Sequence, residues 1–284
     1  MASPIIFRLL NKTLLLAFIT LSSSLFFVSD ALASKVTTIL APHDAEYRLK
    51  MTERNTGSPL SGIDGKMSYF IDDTCDGWTV SQKFTLNYFY NNLKTVSEEK
   101  HFTNWEAKDG SSFQFASKNF SNGIIEEALR GTASKDENNV GKAIFSAPKD
   151  LSYDLTPKMV FPNQYVVNVL DRAKKGKKFY NMIWFDGSDT EGPIEVNTFI
   201  GEKIAPSLPK EILNDNIDTS LLGKDAWKIR LAFFPMSAEM SLPSHEMDVV
   251  LHDNGVVSST IIHYKNFAIT ETLESLQNRK APDC

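Results

Sequence analysis

Cysteine is nearly absent: the 284 residues hold two, Cys75 and Cys284. No C-x-x-C spacing can form from them, which removes a thioredoxin-type redox centre and the cysteine-rich zinc modules. Also missing are a G-x-S-x-G elbow, an H-E-x-x-H pair and a Gly-rich phosphate cradle ahead of a helix. Hydrolase, zinc-protease and nucleotide-binding chemistry therefore have no anchor in the pattern. The 35 Asp and Glu residues outnumber 30 Lys and Arg, and no long basic block occurs. That balance argues against nucleic acid or an anionic membrane surface as the main partner. No apolar run reaches the roughly 20 residues of a spanning helix, and no internal repeat aligns.

The first residues have the pattern of an export leader. Arg8 and Lys12 precede an apolar stretch from Leu14 to Val28, and Ala31-Leu32-Ala33 is a small-x-small cleavage pattern, so cleavage is expected after Ala33. The expected organisation is a leader over 1–33 and one domain over 34–284. A product of about 250 residues suits a single large β domain. The 42% hydrophobic content suffices for its core. In an exported, oxidising setting two cysteines are expected to form one disulfide, Cys75 to Cys284.

What the sequence does have is alternation. After Cys75-Asp76-Gly77, the residues Trp78, Val80, Phe84, Leu86, Tyr88 and Tyr90 alternate with Thr79, Ser81, Lys83, Thr85 and Asn87, predicting a long strand with one buried face. Similar runs hold Ala45 to Met51, Met67 to Ile71, Trp227 to Phe233 and Phe267 to Leu273. Asp109-Gly110 and Asp253-Asn254-Gly255 mark hairpin turns. One segment follows helical spacing instead. Tyr165, Val166, Val169, Leu170 and Ala173 predict a helix over 162–175, ended by Gly176. The basic residues Arg172, Lys174, Lys175, Lys177 and Lys178 at its end read as a solvated last turn, with an anionic-ligand site as the alternative. The fold expected is mostly β: a single antiparallel barrel of about 11–14 strands with one helix. Glu46, Arg48, Lys50, Lys228 and Arg230 lie opposite the apolar faces, as in a barrel whose apolar side points inward rather than toward lipid.

Two sets of residues are candidates for a site. Trp78, Phe84, Leu86, Trp227, Ile229 and Phe233 fall on inner faces, where they either line an apolar cavity or fill a core. His245 and His263 flank the last turn. A three-residue loop over 253–255 would make them face each other as a candidate metal pair, whereas a two-residue loop, Asn254-Gly255, would set His245 against Tyr264. Two imidazoles without a third ligand fall short of a zinc site, and the sequence calls for no metal and no cofactor.

Cys75-Asp76-Gly77-Trp78-Thr79, Trp105-Glu106-Ala107-Lys108-Asp109-Gly110, Phe161-Pro162, Phe185-Asp186-Gly187-Ser188, Asn254-Gly255-Val256 and the final Pro-Asp-Cys, in that order, resemble the EipB family of cell-envelope integrity proteins of alphaproteobacteria. The resemblance implies a periplasmic, spiral-like, oblong barrel and a disulfide carried onto Cys75 and Cys284. It also implies a role in maintaining the envelope, without enzymatic activity. His245 departs from the family pattern, which has an aromatic residue there. The expected function is a non-enzymatic periplasmic protein that binds a partner protein or an apolar envelope component. The alternatives are a lipid or lipoprotein carrier and a hydrolase. It is not expected to be an integral membrane protein.

Overall fold

A computed structural model describes residues 40–236 and 242–284. The expected leader and its cleavage point lie outside these residues. Fifteen strands run in chain order: β1 (His43–Arg54), β2 (Leu60–Asp73), β3 (Gly77–Tyr90), β4 (Thr95–Ala107), β5 (Ser112–Ser121), β6 (Ile124–Lys135), β7 (Gly141–Ala147), β8 (Ser152–Leu155), β9 (Met159–Val160), β10 (Phe179–Trp184), β11 (Ile194–Ile204), β12 (Ala226–Pro235), β13 (His245–His252), β14 (Val257–His263) and β15 (Phe267–Asn278). The helix α1 (Pro162–Lys174) lies between β9 and β10. Three strands of the fifteen, β7 to β9, exceed what alternation shows. They are short, and β7 turns only Ala143 and Phe145 fully inward.

All fifteen strands belong to one sheet, ordered β8 through β1, then β15 through β9. Every neighbour in the sheet is a neighbour in the chain except β1 and β15, which close the two runs onto each other, antiparallel from His43–Asn278 to Arg54–Phe267. The two edges, β8 and β9, are separated in sequence by residues 156–158 alone. Four Cα steps span at most about 14 Å, so the sheet must roll until its edges nearly meet. The result is a nearly closed barrel. β9 pairs with β10 in parallel.

Inward and outward faces follow the alternation. The charged positions Glu46, Arg48, Lys50, Lys228 and Arg230 point outward, and several form cross-strand ion pairs: Arg48 with Asp64 at 2.9 Å, Lys228 with Glu202 at 2.8 Å and Arg230 with Asp248 at 2.5 Å. A barrel in lipid carries an apolar outer band instead. No helix among the described residues is long and apolar enough to cross a membrane.

The helix is packed inside the curve of the sheet. Its buried residues, Asn163, Tyr165, Val167, Val169, Leu170 and Ala173, fall on more than one side, as in a helix enclosed by protein. All but Asn163 share one core with Trp78 and Val80 of β3, Tyr180 of β10, Val196 of β11, Ile229 of β12 and Leu251 of β13. Strands so far apart in the sheet order meet through α1 only because it crosses the barrel. A second filler is the segment 205–223, which sends Leu208, Ile217, Leu221 and Leu222 against Ala45, Tyr47, Leu273 and Leu276.

Candidate binding hollow

The turn between β2 and β3 anchors one end of the barrel. Cys75 is bonded to Cys284 there, with Cα atoms 5.7 Å apart. The Asp73 carboxylate accepts from the Cys75 backbone N–H at 2.8 Å and from Lys108 Nζ at 2.7 Å. A Cβ on Gly77 would lie 2.5 Å from the Trp105 ring, so the Cys-Asp-Gly-Trp run needs glycine at that point. Trp105 Nε1 then donates to Thr74 at 3.0 Å. Near the tail, the Arg279 guanidinium donates to Asp44 at 2.9 Å and to Asp72 at 2.8 Å. The Phe-Asp-Gly-Ser run has a similar cause. Gly187 has φ +66°, and a Cβ there would lie 2.4 Å from Phe115.

The same end is filled by α1, and the helix start is held from another strand. Phe161 precedes the helix and has no capping oxygen, so the first N–H groups need an outside acceptor. Glu106 of β4 provides it: its two carboxylate oxygens accept from the backbone N–H of Asn163 and of Gln164, each at 2.7 Å. Burial pushes the Glu106 carboxyl up to about 7, against the opposing pull of those two N–H groups and of Lys135. Lys135 also donates to the Met159 carbonyl at 2.7 Å and stands 4.3 Å over the Phe161 ring. Glu106 lies within the quoted Trp-Glu-Ala-Lys-Asp-Gly motif, but nothing in the alternation identifies its partner 57 residues away. The basic helix end is tied to the protein's own groups. Arg172 lies 4.3 Å over Tyr180, Lys174 donates to the Asp253 carbonyl and Lys178 to the Gly201 carbonyl.

The other end of the barrel differs. Along the inner face of β3, Trp78 and Val80 are buried, whereas Phe84, Leu86, Tyr88 and Tyr90 are only half-buried. On β13, Leu251 is buried while Val249, Met247 and His245 are not. β1 passes from buried Leu49 to half-buried Met51, and β15 from buried Ile269 to half-buried Phe267. On these four strands the inner face is less covered toward the same end, while Leu60 and Ile63 of β2 and Phe233 of β12 stay buried there. The six residues expected on inner faces divide accordingly. Trp78, Trp227, Ile229 and Phe233 are buried in the core with α1, so they fill rather than line, while Phe84 and Leu86 are half-buried against the second core.

A run of rings leads from α1 to this end of the barrel. Tyr165 of α1 stacks on Trp184 at 5.2 Å, Trp184 meets Phe233 at 5.9 Å and Phe233 stacks on His245 at 4.3 Å. His245 continues to Tyr264 at 5.8 Å, and Tyr264 to Phe267 at 4.8 Å. Two glutamates lie on the same inner face. Glu271 is 5% exposed, and burial lifts its carboxyl to about 7 against a hydrogen bond from Thr260. Glu98 is also raised, by burial and by Glu126, with the Tyr88 hydroxyl within hydrogen-bonding reach.

The candidate histidine pair does not form. A register shift between Val250 and Leu251 sets Glu246 opposite His263, so the two histidines stand on opposite faces. His245 looks inward onto Tyr264, and His263 looks outward, its Nε2 3.0 Å from Asp248. No group of three His, Cys, Asp or Glu able to hold a metal occurs among the described residues.

The geometry defines a nearly closed β-barrel with its own helix packed inside and a less covered inner face on four strands toward one end. The chain belongs to the EipB-like family, whose model matches residues 34–280. It is 25% identical over 245 residues to the cell envelope integrity protein EipB of Brucella abortus (strain 2308), covering 84% of each chain. Its fold is shared with the crystal structure of a β-barrel-like protein of a domain of unknown function from Brucella abortus. There the TM-score is 0.76 at 23% identity, over 86% of this chain and 100% of that one.

Proposed function

We propose that the chain is an exported, periplasmic envelope-integrity protein that works by binding an apolar component of the envelope in the open half of its barrel. In this reading the leader ends at Ala33 and residues 34–284 form the working domain. The relative's name, a cell envelope integrity protein, supports the envelope role. The observation that carries the binding role is the loss of cover along four inner faces toward one end. Half-exposed Phe84, Leu86, Tyr88, Met51, Met247 and Phe267 form an apolar concave wall of the kind that ligand sites use. The wall continues a rigid core, so it stays preorganised without a ligand. The function needs no reacting group, and the role is binding rather than catalysis.

The test is lipid mass spectrometry on protein purified from its native envelope without detergent exchange. Acyl-chain lipid should co-purify at close to one per chain, and Leu86→Glu with Met247→Glu should strip it while leaving the fold intact by circular dichroism. Protein that emerges free of lipid, or a double variant that retains it, would refute the proposal.

A further inference from the structure

The chain as a whole is acidic, yet one part of its outer wall is basic and apolar together. Phe179 opens β10 and stands opposite Phe199 of β11, with ring centroids 5.4 Å apart. The neighbouring Tyr180 and Ile200 turn inward and are buried, so both phenylalanine rings point outward. They are 69% and 46% exposed. Single exposed apolar side chains are ordinary, but two rings in contact make a patch of the kind that marks a docking surface. Directly before Phe179 come the end of α1 and its turn, where Arg172, Lys174, Lys175, Lys177 and Lys178 are all exposed. The Lys178 carbonyl accepts the Ile200 N–H at 2.8 Å, so the basic turn abuts the ring pair.

The surrounding groups do not discharge this turn. Arg172 lies over a ring and Lys178 donates to a carbonyl, contacts that leave each positive charge in place. Asp171 is the one acid inside the basic run, and Asp253 takes the Lys224 backbone N–H at 3.2 Å. The other nearby carboxylates are matched by other cations: Asp225 by Lys203, Glu202 by Lys228, and Asp248 by Arg230, which stands opposite Phe199. Lys175 and Lys177 form no ion pair among the described residues. Positive charge is thus in surplus around an apolar pair. Aromatic rings beside lysines are what an anionic bilayer binds, the rings entering the headgroup boundary and the lysines meeting phosphates. We infer that Phe179, Phe199, Lys175 and Lys177 dock the protein on an anionic phospholipid surface. The patch lies on the outer wall, so the inference stands apart from the ligand reading above.

Co-sedimentation of the full mature chain with sucrose-loaded vesicles tests this. One set of vesicles is phosphatidylcholine alone, and the other contains about one third phosphatidylglycerol. Binding to the anionic set should exceed binding to the neutral set by about tenfold, and should fall steeply in about 0.5 M salt. Lys175→Gln and Lys177→Gln should each weaken it about fivefold. Phe179→Ser with Phe199→Ser should weaken it about tenfold. Both rings are exposed, so the circular dichroism of that double variant should match wild type. No binding to anionic vesicles, equal binding to both sets, or binding that survives all four changes overturns the assignment. So does a dimer in sedimentation equilibrium that the two serine changes dissolve, found in place of vesicle binding, since the rings would then join two copies of the chain.

Discussion

Strand β3 contains two environments in one alternating sequence. Trp78 and Val80 at its start are sealed under α1, while Phe84, Leu86 and Tyr88 farther along face a hollow. Chemically the two stretches are alike. They differ in what the rest of the chain lays over them. Trp78 and Val80 share one core with α1, whereas Phe84, Leu86 and Tyr88 pack only partly buried against the second core. An apolar inner face therefore shows where a wall is, while the filling elements decide whether that wall is core or site.

Breaking the filled end should cost more than breaking the hollow one, in a graded series. Removing the crosslink comes first: Cys75→Ser and Cys284→Ser should each lower stability by about 5 kcal/mol in the chain-entropy model for a closed loop of 209 residues. Matched losses in urea midpoints are expected, because either change removes the same bond, and unequal losses would contradict a shared bridge. Leu170→Ala, at a fully buried position of α1, should cost about 3 kcal/mol in the same assay. Glu106→Ala leaves two helix N–H groups without acceptors and should cost about 2 kcal/mol. Leu86→Ala, in the hollow, should cost no more than about 1 kcal/mol. A loss at Leu86 equal to that at Leu170 would erase the distinction between the two ends.

A separate effect is a pH slope. Glu271 has a folded pKa of about 7 against an ordinary 4.5, so the folded state binds more protons than the unfolded state between those values. Its contribution is fully present below the unfolded pKa and is lost as pH rises through about 7. His43, His245 and His252 act in the opposite direction, since burial lowers all three and stability falls as they are forced to protonate. Comparing wild type with Glu271→Gln isolates the glutamate. The variant should gain stability relative to wild type as pH is raised from 5 to about 8, measured by urea denaturation at each pH. A difference that does not vary with pH would refute the assignment.

Much of this is legible in the sequence. The strands from Trp78, Trp227 and His245 follow a period of two, and the helix expected over 162–175 is found at Pro162–Lys174, because Pro162 and Gly176 punctuate it. Strand β6 gives no clean alternation at its start, where Ile124, Ile125 and Glu126 are all exposed. β7 to β9 escaped because short strands offer too few turns of alternation to count. The trans cap by Glu106 escaped for a different reason: a side chain's partner in a distant element leaves no periodic trace. The last hairpin fell between two registers in the sequence, and one bulge at Val250 and Leu251 decided which face each histidine takes.

The ladder between β1 and β15 sets the order in which the molecule can be completed. Each other pairing joins strands that follow one another closely, so most of the sheet can zip up as a growing ribbon. Closure must wait for the final strand, which brings together segments more than 200 residues apart, as do His43 and Asn278. A chain truncated before Phe267 would keep its hairpins but leave β1 and β14 as bare edges. Such a fragment should be captured by chaperones or should aggregate, whereas one lacking only the last few residues would lose the sulfur link and keep the barrel.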